Sequence, residues 1–159
     1  MTELPKSTDE FLADLQKIKD NTDAIPLYTN YAAGWPLGWD GNITAIAGDP
    51  DYNNLKMPLE DDPFSPGKPY YTLYKLMYDV AKQGLIEPDP TTTDWELSKP
   101  MIGEGKIGTM VLGSWAITQM QGAAGANVDN IGYILNSRKF VTINVLNSLI
   151  HKRFRTLKP

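Results

Sequence analysis

Hydrophobic positions recur with helical spacing in two parts of the chain. Between residues 7 and 20 the apolar side chains fall three or four positions apart, which predicts an amphipathic helix. These positions are Phe11, Leu12, Leu15 and Ile18. Ser7 and Glu10 match a capping box, in which two side chains satisfy amides at the helix start. Residues 70–83 show the same spacing, and Gly84 is expected to end that helix.

Three short apolar runs predict β-strands. Residues 24–28 form the first, and Pro26 within it indicates an edge or a strand end, because proline donates no ladder hydrogen bond. Residues 107–112 are apolar enough for a strand that is covered on both faces. Residues 130–135 form the third run. Since helices alternate with these strands, the pattern predicts an α/β layered domain.

The segments between these elements predict a loop and two more helices. Residues 49–69 are rich in Asp, Asn and Pro, which is typical of a long surface loop. Thr93 and Glu96 match a second capping box, and the helix that they open is expected to end near Met101. Ser114 follows the second strand and is placed to cap the next helix.

The charge distribution argues against nucleic acid as a partner. The chain has 159 residues, with 15 basic and 19 acidic side chains and a net charge of −4. All 19 acidic residues precede position 138, and residues 138–159 carry six bases. The first 137 residues therefore carry 9 bases and 19 acids, a net charge of −10. An acidic body repels phosphate backbones, so we predict no nucleic-acid binding.

The composition also excludes several kinds of chemistry. The chain has no cysteine and only one histidine, His151, which leaves no disulfide, no thiolate nucleophile and no pair of histidine ligands. The acidic run at 60–62 lacks the spacing of a calcium loop, and residues 103–108 lack the spacing of a phosphate-binding loop. We predict no metal, no cofactor and no catalytic residue. The first five residues lack the features of a secretory signal, and no apolar run is long enough to span a bilayer.

The order of several motifs carries a family resemblance. The motifs are the helix start at 5–11, the aromatic segment at 28–37, the helix end at 82–86, the strand with Gly-Ser-Trp at 105–116, and Asp-Asn-Ile-Gly-Tyr at 129–133. This order resembles the C-terminal lobe of family 1 extracellular solute-binding proteins, the maltose-binding-protein-like group. The resemblance covers roughly residues 3–135. It implies an α/β lobe of the type II periplasmic binding protein kind, with helices packed on a small mixed sheet.

The resemblance also implies a function. Members of this family hold a sugar or oligosaccharide between two lobes and deliver it to the permease of an ABC importer, without chemistry on the ligand. The full-length proteins are extracellular lipoproteins anchored to the membrane, whereas this chain is expected to lack a signal peptide. In such sites aromatic rings pack on the apolar faces of sugar rings, and polar side chains bind the hydroxyl groups.

Six ligand-binding residues follow from the resemblance, position by position. They are Trp115, Tyr31, Asn30, Trp35, Trp39 and Asp40. Trp115 matches the aromatic residue at the end of the family's Gly-x-Trp strand, and Asn30 with Tyr31 matches its polar-aromatic segment. Packing in the core is the alternative for Trp115, and anchoring of a helix is the alternative for Trp35. Packing in the core or on a helix face is the favoured interpretation for Trp39, and core packing is favoured for Trp95. Shaping of a turn is the alternative for Asn30.

The resemblance breaks down near the end of the chain. Residues 1–137 are expected to form the substrate-binding lobe, with the N-terminal lobe absent. Residues 138–159 form a basic tail that we predict is not native to the family. Two other functions remain open: a carbohydrate-acting enzyme fragment, with Asp40 and Glu104 as formal carboxylates, and a folded but non-functional product of a truncated gene. Self-association through the exposed hinge face is a further expectation.

Overall fold

The computed structural model describes residues 5–37, 39, 43–136 and 140–145. The α-helices are α1 (Thr8–Asn21), α2 (Ile43–Ala47), α3 (Pro69–Lys82), α4 (Trp95–Gly103) and α5 (Ala116–Ala124). The strands are β1 (Ile25–Leu27), β2 (Ile107–Leu112), β3 (Ile131–Asn136) and β4 (Phe140–Val145). Short helical turns occupy Tyr31–Ala33, Trp35–Leu37, Tyr52–Lys56, Met57–Leu59 and Gly125–Asn130.

The four strands form one mixed sheet in the order β1-β2-β4-β3. β1 runs parallel to β2, with Leu27 opposite Thr109, whereas β4 runs antiparallel to both β2 and β3. On the outer side of β1, the described residues form an isolated parallel bridge between Leu27 and Ile86. Pro26 therefore lies in the terminal strand, as the sequence predicts, and its carbonyl accepts a 2.7 Å hydrogen bond from Thr109 Oγ1. The predicted α/β class with a small mixed sheet is confirmed.

α1 begins as predicted, but only half of its capping box forms. Ser7 Oγ accepts a hydrogen bond from the amide of Glu10 at 3.2 Å. The Glu10 carboxylate accepts from the amide of Lys6 at 2.6 Å. The Glu10 side chain therefore pairs with the amide of the residue before the cap, and not with the amide of Ser7.

The second predicted capping box is wrong. Asp94 caps α4, because its side chain accepts a hydrogen bond from the amide of Leu97 at 3.0 Å. Thr93 Oγ1 is turned the other way and donates to the carbonyl of Pro90 at 3.3 Å. Asp94 stands one residue closer to the helix, and its carboxylate also suits the positive end of the helix dipole. α4 continues two residues beyond Met101.

Two other local predictions also need correction. Ser114 does not cap α5, since the helix begins after Trp115 without a side-chain cap. The segment 49–69 is not irregular throughout, because it contains the helical turns Tyr52–Lys56 and Met57–Leu59. Tyr52 is buried within it, which anchors this segment to the core.

Helices cover both sides of the sheet. One core cluster forms around α1, α2 and α3, and it includes Leu15, Leu27 and Leu73. The other cluster forms around α4 and α5, and it includes Ile102 and Met120. All but one residue of β2 are buried, as expected for a strand covered on both faces. Among the residues that the structure describes, no helix combines the length and hydrophobicity that crossing a membrane requires.

β4 lies within the segment that the charge pattern assigns to an atypical tail. It pairs with β2 from Thr109↔Asn144 to Leu112↔Val141 and with β3 along its whole length. Six residues of the predicted tail thus take part in the sheet. The change in net charge at position 138 does not reveal this pairing, because strand formation depends on β-branched and apolar side chains. That residues 138–159 are foreign to the family stays a prediction.

Candidate functional site

The carboxyl ends of the parallel strands meet at one edge of the sheet. Because β1 and β2 are parallel, the residues that follow each of them emerge on the same side. Ile86, which bridges Leu27 in parallel, places Glu87 at this edge as well. Ligands of open α/β sheets bind outside the carboxyl ends of the strands. A ligand site is therefore expected at this edge.

Three tryptophans converge at this edge and form what we call the tryptophan cluster, which comprises Trp35, Trp95 and Trp115. The centroid of the Trp35 ring lies 5.0 Å from that of Trp95 and 5.4 Å from that of Trp115, and the last two centroids are 5.8 Å apart. The rings meet at steep angles, as aromatic pairs prefer. Trp35 and Trp115 are 47% and 48% exposed, so the cluster presents indole surface to solvent.

Local structure holds the rings of Trp35 and Trp95. Trp35 opens a helical turn, and Trp95 is the first residue of α4 behind its Asp94 cap. The Lys99 ammonium lies 5.2 Å from the centroid of the Trp95 ring, a cation–π contact that covers part of that ring. Trp95 is only half-buried, since part of it packs on the core while its ring contacts Trp35 and Trp115.

Gly113 makes room for the ring of Trp115. A Cβ atom added to Gly113 would lie 2.4 Å from Nε1 and 2.6 Å from Cδ1 of Trp115, closer than atoms can approach. The indole is therefore folded back over the backbone of Gly113. A side chain at this position would have to displace the ring.

Gly113→Ala is expected to move the Trp115 ring away from Trp35 with little loss of stability. The ring is half exposed and free to swing outward, so the free energy of unfolding should change by no more than about 0.5 kcal/mol. NMR of the ¹⁵N-labelled indole groups would report the displacement as a shift of the Trp115 and Trp35 resonances.

Gly122→Ala provides the matched control for this variant. Gly122 lies in α5, where an added Cβ would meet nothing within 4 Å. This change should leave the indole resonances in place and stabilise the helix by up to about 1 kcal/mol. Unchanged Trp115 and Trp35 resonances in Gly113→Ala would contradict the positioning role of Gly113.

Asn30 and Tyr31 follow β1 and lie behind the surface. Asn30 is fully buried in the left-handed conformation, with φ of 55°, and neither Oδ1 nor Nδ2 has a hydrogen-bond partner. The Tyr31 hydroxyl is likewise buried without a partner. Each such group costs about 1–3 kcal/mol when left unpaired. Since Asn30 is closed off from solvent here, a ligand reaches its amide only if the neighbouring side chains move.

A buried carboxylate holds the backbone at this point. Glu87 is only 3% exposed; its Oε2 accepts from the amide of Thr29 at 2.8 Å. Its Oε1 accepts from Thr29 Oγ1 at 2.6 Å and from the amide of Asn30 at 2.8 Å. Burial, and then the negative charge of Glu87, raises the pKa of Tyr31 to about 12. The Tyr31 phenol therefore stays neutral and keeps its proton to donate.

Trp39, another predicted site residue, lies apart from the tryptophan cluster. Trp39 is 4% exposed and packs in the core cluster with Leu15 and Ile43. Asp40 lies outside the described residues. Sequence reasoning assigned Trp95 to the core and did not single out Glu87. Glu87 could have been found from its position directly after the apolar pair at 85–86. That pair lies parallel to β1, so the residue after it emerges at the same edge of the sheet.

Glu104, one of the two carboxylates considered for an enzyme, lies away from this site. Glu104 lies at the C-terminal end of α4 and is paired with Lys106 at 2.7 Å. The length of the helix puts its backbone roughly 13 Å from that of Trp95. Within the described ranges, no group of three or more acidic or histidine side chains could hold a metal ion.

Comparison with known proteins now identifies the class. Residues 1–141 match the family model described as bacterial extracellular solute-binding protein. The chain therefore belongs to this family, whose members are binding proteins. No curated protein matches the chain significantly.

Solved structures give a more specific likeness. An ABC transporter binding protein from Bifidobacterium animalis subsp. lactis in complex with mannobiose is 38% identical, with a TM-score of 0.78, over 95% of this chain. A complex of the same protein with mannotriose is 39% identical over 91% of this chain, with the same TM-score. A manno-oligosaccharide specific solute binding protein from the same organism is 38% identical over 95%, with a TM-score of 0.77. This chain spans about 40% of the length of these proteins.

Proposed function

We propose that this chain is the sugar-capturing part of an extracellular solute-binding protein of an ABC importer, and that its ligand is a manno-oligosaccharide. The observation that carries the proposal is the tryptophan cluster at the carboxyl edge of the sheet. Trp35 and Trp115 keep about half of their surface exposed, which is a large apolar area for side chains outside a core. Solved proteins with the same fold are complexes with mannobiose and mannotriose.

The chemistry of the cluster suits binding without reaction. Sugar rings present patches of C–H groups, which pack well on indole faces, while their hydroxyl groups need polar partners. Tyr31 and Asn30 lie next to the cluster in sequence and carry unpaired polar atoms. Glu104, one of the carboxylates considered for glycosidic cleavage, is held in an exposed ion pair with Lys106. We therefore propose a binding role and not an enzyme.

The role of the complete protein extends the same proposal. The longer protein would be an extracellular lipoprotein, and closure of its two lobes around the sugar would be the state that the permease recognises. The affinity of this chain alone should be weak, since it contributes only part of the contacts. Self-association through the hinge face stays a prediction, which sedimentation velocity would test.

Titration with mannotriose, followed by NMR of the four ¹⁵N-labelled indole groups, tests the proposal. This measurement detects weak binding, and each tryptophan reports separately. We expect saturable shifts for Trp35, Trp95 and Trp115, and little change for the buried Trp39. Maltotriose serves as the control sugar of equal size and should cause smaller shifts.

The possible outcomes separate the alternatives. Equal shifts with both trisaccharides would support sugar binding but contradict the preference for mannose units. No shift with either sugar would favour a folded product without function. Release of smaller sugars during the titration would revive the enzyme alternative.

A further inference from the structure

Glu87 joins two segments that carry different tryptophans. Its carboxylate accepts three hydrogen bonds from Thr29 and Asn30, which lie six and five positions before the turn that begins at Trp35. Glu87 itself begins the stretch that leads to Trp95. The two stretches meet again where the amide of Ala32 donates to the carbonyl of Pro90 at 2.9 Å.

We propose that Glu87 is a positioning residue that sets the spacing of Trp35 and Trp95 by fixing the backbone at Thr29 and Asn30. Asn30 has a positive φ, and so does Gly34 immediately before Trp35. The backbone therefore turns sharply at both residues. The direction in which it reaches Trp35 depends on how the backbone at Thr29 and Asn30 is fixed. The side chain of Asn30 makes no hydrogen bond that would hold it, so Glu87 supplies that restraint.

The two backbone amides require a side chain that accepts a hydrogen bond at each of its two terminal positions. Oε2 faces the amide of Thr29, and Oε1 faces the amide of Asn30. A carboxylate accepts at both positions, whereas the NH₂ group of glutamine only donates. Whichever way the amide of a glutamine is turned, its NH₂ group meets one of the two backbone N–H groups. Glutamine has nearly the same shape as glutamate, but Glu87→Gln therefore loses one of the two hydrogen bonds from the backbone amides.

Circular dichroism tests the proposal directly, because indole rings at these distances couple and give an exciton couplet. This indole band depends on the mutual orientation of the rings. Glu87→Gln is expected to weaken this band toward the spectrum of Trp35→Phe, which loses the two ring pairs that involve Trp35 and keeps the pair of Trp95 and Trp115. Thr29→Val removes only the hydroxyl donor and should have a smaller effect in the same direction. It also covers the case in which Glu87→Gln fails to fold.

The predicted effect of Glu87 on sugar binding rests on the proposed function. Titration of the native chain distinguishes a failure of that function from a failure of the role of Glu87. The Kd for mannotriose should rise roughly tenfold in folded Glu87→Gln, the equivalent of about 1.4 kcal/mol. If the native chain binds no sugar, the proposed function fails, while the indole band still decides the role of Glu87.

Glu104→Gln is the control, since Glu104 is exposed and lies at the far end of α4. It should leave the indole band, the melting temperature and the sugar affinity unchanged. If Glu87→Gln and Thr29→Val lower the melting temperature but keep the native band, Glu87 serves stability alone and the proposal is wrong. A weakened band in Thr29→Val would support it even where Glu87→Gln is unfolded.

Discussion

Replacement of Trp115 by alanine is expected to raise the Kd for mannotriose by about 30-fold or more. The ring is 48% exposed and contacts both other members of the tryptophan cluster. Loss of a central tryptophan from a binding surface commonly costs at least ~2 kcal/mol, which corresponds to roughly this factor. Stability should fall only modestly, because about half of the Trp115 side chain is already exposed in the folded chain. NMR titration of the remaining indole groups would give the affinity.

Trp39→Phe is the informative comparison. Trp39 is 4% exposed and belongs to the core, so this change should reduce stability and leave the Kd within a factor of about two. Both tryptophans are site candidates by resemblance, and the structure separates them by burial. A larger loss of affinity in Trp39→Phe than in Trp115→Ala would contradict the placement of the site at the tryptophan cluster.

Leu27→Ala should lower the free energy of unfolding by about 2–5 kcal/mol. Leu27 is fully buried and pairs with Thr109 on one side of β1 and with Ile86 on the other. Truncation leaves a cavity where three chain segments meet, and such cavities collapse only partly. Since domains are typically stable by only 5–15 kcal/mol, the loss is a large fraction of the total. Urea denaturation followed by far-UV circular dichroism would measure it.

Leu59→Ala makes the same chemical change where it should have no effect. Leu59 is 84% exposed in the turn at Met57–Leu59. The free energy of unfolding should stay within about 0.5 kcal/mol of the native value. Similar losses in both leucine variants would contradict the placement of Leu27 in the core.

The periodic elements were predictable because burial on a regular backbone leaves a regular pattern. α1, α3, β1, β2 and β3 appear where the spacing of apolar residues predicts them, within a residue or two at each end. The helix starts were harder to predict. Thr93, Asp94 and Ser114 are all suitable capping residues, and the choice among them depends on the tertiary contacts that orient each side chain.

The proposed site was predictable in part. Trp35 and Trp115 follow from the family resemblance, and the structure brings their rings together. Core packing was the favoured interpretation for both Trp39 and Trp95; Trp39 is buried, whereas Trp95 is only half-buried because its ring also contacts Trp35 and Trp115. Asn30 was selected because it matches the family's polar-aromatic segment, yet the fold encloses it and leaves aromatic rings exposed.

The topology of the sheet also has a consequence for synthesis on the ribosome. The parallel neighbour of β1 arrives late, since the hydrogen bond from Thr109 to Pro26 joins residues 83 positions apart. Contacts between distant segments form slowly, and an unpaired strand edge is exposed to aggregation until they do. A nascent chain that stops before β2 therefore holds two of the three cluster tryptophans without the sheet that brings them together. The ability to capture a ligand should emerge in one late step, when β2 closes against β1.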